Sequence, residues 1–119
     1  VTAPGAAASA PTELTYDELQ APPFGWPALA EVRRYLPTSH LDGAAWVALW
    51  QAELRSPGTW RLWDLGRVHA LVLLMERGWE PEPIEIEGRA IADGNHRAAA
   101  ARALGRLVGV VGGVVVRPG

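Results

Sequence analysis

The stretch Ile91-Ala92-Asp93-Gly94-Asn95-His96-Arg97-Ala98-Ala99-Ala100-Ala101-Arg102-Ala103-Leu104-Gly105 decides how the rest of the chain is read. It has the form of a strand end, a tight turn at Asp93-Gly94, and a helix from about Asn95 to Leu104 that is nearly all alanine and closes at Gly105. His96 and Arg97 fall in the first helical turn, where the backbone presents unpaired N–H groups and the positive end of the macrodipole. Cations are disfavoured there. Free N–H groups, an imidazole and a guanidinium together make an anion site, and phosphate is the commonest anion that fits one.

Upstream, Pro81-Glu82-Pro83 forces extended chain into Ile84-Glu85-Ile86, whose alternation is that of a half-buried strand. Glu87-Gly88 is expected as a two-residue hairpin turn, with the chain returning as Arg89-Ala90-Ile91-Ala92. Downstream, Leu107 to Val116 supplies one long or two short buried strands, with Gly112-Gly113 as bulge or turn. The alanine helix offers little but methyl groups, so it can lie close against a sheet.

The run from Pro83 through Asp93-Gly94-Asn95-His96-Arg97 to Gly105 resembles the core of the ParB/sulfiredoxin-like superfamily. The resemblance covers about residues 64–116, and no match is apparent in the first half. It implies a strand, a D-G-x-H-R-like turn, an alanine-rich helix ending in Leu-Gly, and a further strand. Sulfiredoxins place a reactive cysteine where this chain has Asn95, so their chemistry is not expected. Partition-type ParB proteins bind CTP and carry a helix-turn-helix after this core, whereas here Arg117-Pro118-Gly119 end the sequence. The pattern is nearer to relatives that phosphorylate free serine or have been described as nucleases. On that likeness Gly94, Asn95, His96 and Arg97 would cradle phosphates, His96 would donate to a phosphoryl oxygen, and Arg97 would neutralise developing charge.

The basic residues are all arginine, and there is neither lysine nor cysteine. Schiff-base chemistry, Walker-type loops, disulfides and Cys-based zinc sites are thereby excluded. A net charge of −2 gives no general attraction to nucleic acid, so DNA is not an expected partner. No uninterrupted apolar run reaches membrane-spanning length and Val1 to Pro11 does not read as a secretory signal, so a cytoplasmic protein is expected.

Val1 to Pro11 is expected as a disordered tail. Thr12 to Leu19 reads as a short strand and a turn of helix whose Tyr16 and leucines help close the core. Pro27 is expected to open a helix to about Leu36, with Leu29, Val32 and Leu36 on its buried face, stopped by Pro37. Asp42 would cap a second helix bearing a core stripe of Trp46, Leu49, Trp50 and Leu54, ended by Ser56-Pro57-Gly58. Trp60 and Trp63 fall in the next connection. Asp64 would cap a third helix carrying Leu65, Val68, Val72, Met75 and then Trp79, with Gly78 as terminator and His69 off the stripe as a surface or satisfied core histidine.

The expected fold is α/β (α+β): one domain over 12–119, with a helical part at 12–63 and a small mixed sheet in an α/β core at 64–116. The expected function is binding of a nucleoside triphosphate or diphosphate, ATP or CTP with Mg2+. Hydrolysis or phosphate transfer would use His96, Arg97 and Asp93, and Arg67 or Arg89 would supply a second phosphate contact. Glu85 and Glu87 reach the turn only if the hairpin folds toward it; as alternating residues they more naturally form its solvated face. The alternatives are a non-catalytic or nucleotide-gated interaction module, acting through a protein partner on the tryptophan-rich half or as a homodimer, and a DNA-binding or nuclease domain.

Overall fold

A computed structural model describes residues 13–38 and 43–119, so the expected tail at 1–11 and the Asp42 cap lie outside the described residues. The chain folds as a small α+β protein with mixed strand pairing. Strand β1 (Glu13–Thr15) runs straight into a 3-10 turn (Tyr16–Glu18), where the Glu18 carboxylate accepts from the Thr15 N–H at 3.0 Å. A loop through Phe24 and Trp26 leads to helix α1 (Leu29–Val32).

Helix α1 is shorter than the expected Pro27–Leu36 span. After one turn its hydrogen bonds tighten to three-residue spacing, Arg34 to Glu31 and Tyr35 to Val32, and the chain leaves the helix. Val32 is fully buried and Leu36, expected on the same face, is 85% exposed. Arg33 then ties α1 to the end of the long helix through Glu76 at 2.9 Å.

Helix α2 (Gly43–Arg55) ends where Ser56-Pro57-Gly58 was expected to stop it, but none of its residues is fully buried. Its anticipated core stripe is instead a partly exposed aromatic cluster. Trp46 packs on Trp60 and Trp63, Trp50 packs on Trp60, and Leu54 stands 78% exposed. Helix α3 (Thr59–Glu76) begins five residues before Asp64, so Trp60 and Trp63 are helical rather than in a connection. The cap is the Glu53 carboxylate, reaching from α2 to accept the N–H groups of Gly58 and Trp60 at 3.1 and 2.9 Å. Gly58, at φ 107°, makes that reversal.

Leu65, Val68, Leu71, Val72 and Met75 of α3 form the centre of the core. The hairpin β2 (Glu85–Glu87) and β3 (Ala90–Asp93) pairs Glu87 with Ala90, so its turn is Gly88-Arg89, one residue later than expected. Helix α4 (Asn95–Ala103) follows, then β4 (Val108–Gly109) and β5 (Val115–Arg117) joined through Gly112-Gly113. Strand β5 lies between β1, parallel, and β4, antiparallel, while a bridge from Ile84 to Val110 couples the hairpin to this sheet.

Ala98, Ala99, Ala100 and Ala101 are all buried, and their lack of bulk lets α4 press against α3. Tyr16 locks the other side, donating to the Arg106 carbonyl at 2.8 Å while the Arg106 guanidinium donates to the Met75 carbonyl. No helix among the described residues is long and apolar enough to cross a membrane.

Candidate functional site

The site begins where β3 hands the chain to α4. Gly94, the N-cap of α4, has φ 99°, which a side chain rarely adopts. A Cβ there would stand 2.6 Å from the Ile84 methyl and 2.7 Å from a guanidinium nitrogen of Arg97. The glycine is therefore required twice, by conformation and by space. No side chain caps the helix, so its first-turn amides have no side-chain acceptor.

His96 projects from that turn toward α3, where its Nε2 donates to Asp64 Oδ1 at 2.8 Å. Phe24 stacks on the ring at 4.9 Å and Trp63 meets it edge-on at 5.2 Å. Asp64, expected as a helix cap, thus sits inside α3 and spends its carboxylate on His96. Arg97 folds back over Gly94, with contacts of 3.3 Å to Asp93, 3.4 Å to the Pro83 carbonyl and 3.9 Å to Glu82. Its Nε is buried without a partner.

Both His96 and Arg97 at the helix start have carboxylate partners. The two compensations differ in strength. The His96–Asp64 bond is short and partly buried, whereas the Arg97 contacts are long and its acidic partners are largely exposed. Long ion pairs open to solvent contribute little, so a better acceptor could displace them.

These residues line a cleft of about 430 Å³. Asp93, Gly94, Asn95, His96 and Arg97 line it together with Arg67 from α3. Leu71, Leu74 and Trp79 supply its apolar lining, and the exposed Glu82 also lines it. Trp79, anticipated as the last residue of the α3 stripe, lies beyond the helix end and is 37% exposed. Glu85, Glu87 and Arg89 do not line the cleft and are exposed on the hairpin. His69 is accounted for separately, donating through Nδ1 to the Tyr35 carbonyl at 2.5 Å.

Sequence reasoning missed Asp64, Phe24 and Trp63 around His96 and Glu82 in the cleft lining. None left a signal in the sequence itself, and Asp64 stands out only once the start of α3 is known. With the helix beginning at Thr59, an aspartate in its interior has no capping work to do and calls for another partner. Among the described residues no cluster of three or more His, Asp or Glu could hold a metal ion. No family model, curated protein or solved structure matches this chain.

Proposed function

We propose that the chain binds a nucleoside triphosphate or diphosphate in the cleft at the start of α4, as a small cytoplasmic nucleotide-binding protein able to hydrolyse it or pass on its phosphate. One observation carries the reading. A cleft of about 430 Å³, within the usual range of about 300–1,000 Å³ for ligand sites, is lined by an indole and two leucines together with Arg67, Arg97 and a helix start. A nucleotide has the matching halves, a flat base and an anionic tail. Phosphate oxygens would draw Arg97 from its long contacts and meet the amides of Asn95, His96 and Arg97.

Asp93 and Glu82 also line the cleft. Magnesium commonly takes one or two carboxylates and completes its shell with substrate phosphate and water, so a pair suffices for the ion that travels with ATP or CTP. The resemblance of the hairpin–helix–strand run to the ParB/sulfiredoxin-like core supports the same reading. Calorimetry with ATP, ADP and CTP plus magnesium tests it. Saturable heat is expected, with affinity reduced at least about tenfold in Arg97→Ala, the loss of one charge-assisted contact. Absence of heat at millimolar nucleotide contradicts it.

A second reading, a protein-interaction module, is favoured by one observation. Leu36, Val47, Trp50, Leu54 and Leu62, all in the tryptophan-rich half, are each exposed. A partner or a second copy of the chain would cover them, and light scattering across a concentration series detects the homodimer. DNA is the least favoured ligand at a net charge of −2.

A further inference from the structure

Asp64 is the acidic residue of α3 that sequence spacing assigned to helix capping and the structure assigns to His96. We infer that it is a positioning residue, fixing His96 in the Nε2–H tautomer so that the Nδ1 lone pair takes the proton from the water attacking a bound nucleotide's terminal phosphate. The inference rests on the nucleotide reading above and specifies the chemistry of that site.

Three contacts define the ring. An ionised carboxylate only accepts, so the 2.8 Å contact to Asp64 Oδ1 requires a hydrogen on Nε2. Phe24 covers one face, Trp63 abuts the edge, and the Phe24 carbonyl is itself held by Arg61 at 3.0 Å. Rotating the imidazole would break the Asp64 contact. Nδ1 has no protein partner among the described residues. His96 lines the same cleft as Gly94, Asn95 and Arg97 of the helix start, where phosphate would sit. The Asp64 side chain is 13% exposed, which keeps water from competing for the contact.

In the step, the water oxygen forms a bond to the terminal phosphorus while the bridging P–O bond breaks and its electron pair leaves on the nucleoside diphosphate. The water proton passes to Nδ1. Asp64 keeps the Nε2 hydrogen and faces the imidazolium so formed. Arg97 meets the charge on the phosphoryl oxygens, and a magnesium ion held by Asp93 and Glu82 would supply further neutralisation. Nδ1 later releases its proton to phosphate or solvent, restoring the neutral ring.

The test joins nitrogen-15 NMR of the His96 ring with single-turnover kinetics on magnesium ATP and CTP. The wild type is expected to show a protonated Nε2 and an unprotonated Nδ1. Asp64→Asn is expected to populate the Nδ1–H form and lower kcat by about 10²-fold or more, with KM within about threefold. A purely structural role for Asp64 would shift melting without moving the tautomer. A wild-type Nδ1–H tautomer overturns the inference, as does an Asp64→Asn protein with unchanged tautomer and kcat. Should that variant not fold, the wild-type tautomer and His96→Gln decide: unchanged turnover in His96→Gln overturns it. Nucleotide bound but not turned over removes the catalytic role and leaves the binding reading standing. Nucleotide not bound removes both.

Discussion

Gly94 and Tyr16 show how single residues fix this molecule. Gly94→Ala would force a Cβ into the Ile84 methyl at a backbone angle that alanine resists, so a loss of about 2–4 kcal/mol is expected in denaturant unfolding. A variant as stable as the wild type would refute that account of the turn. Tyr16 is 1% exposed, and burial raises its phenol above the ordinary value of about 10, the nearby charge of Arg102 pulling weakly the other way. A raised acid binds its proton more tightly folded than unfolded. Its stabilisation is therefore complete below about pH 10 and declines as pH climbs from there toward the folded value. Tyr16→Phe should cost about 1 kcal/mol at pH 7, leaving the Arg106 carbonyl without its donor, and should flatten the alkaline limb of the stability profile. The motif residues were legible as a turn and a helix start because their spacing is local. Asp64 was not, since its partner lies 32 positions away and no periodicity records a contact across that distance.

At the scale of elements, the start of α3 is the instructive case. The sequence offers Asp64 as a cap ahead of a regular apolar stripe, yet the helix starts at Thr59 because a carboxylate from the preceding helix serves its amides. The N–H groups of Trp60 and then Gly58 hold Glu53 below the usual carboxylate range. A lowered acid stabilises the fold above its unfolded value, near pH 4.3, and that contribution disappears as pH falls through the folded value. Glu53→Gln should weaken the acid dependence and speed amide exchange at Trp60 to Leu62; unchanged exchange there would argue against the cap. Gly66 marks a second tertiary constraint, because a Cβ would stand 2.4 Å from the Leu36 carbonyl oxygen of the crossing segment. That crossing, sealed by Thr38 on the Gly66 and Trp63 carbonyls, accompanies the early end of α1 and no local propensity reveals it. The alanine helix, the hairpin and the closing strands were readable because their punctuating glycines and alternation act over a few residues.

Over the whole molecule, one core draws Tyr16, Leu19, Phe24 and Val32 from the first half onto α3, α4 and the strands of the second. The loop through Phe24 thereby also reaches His96, so the early segment helps build the cleft that the later motif announces. Helix α2 is different, contributing an aromatic cluster with no fully buried residue. Leu54→Ser and Leu36→Ser should change stability by no more than about 0.5 kcal/mol, and a loss above about 1.5 kcal/mol would mean that the face is covered within the chain. The most direct test of the nucleotide cleft is a titration of nitrogen-15-labelled protein with magnesium ATP and magnesium CTP. The expected result is saturable shifts concentrated at the amides of Gly94 to Arg97 and the indole N–H of Trp79. Spectra that do not move at millimolar nucleotide, or that move only at the tryptophans of α2 and α3, would contradict it.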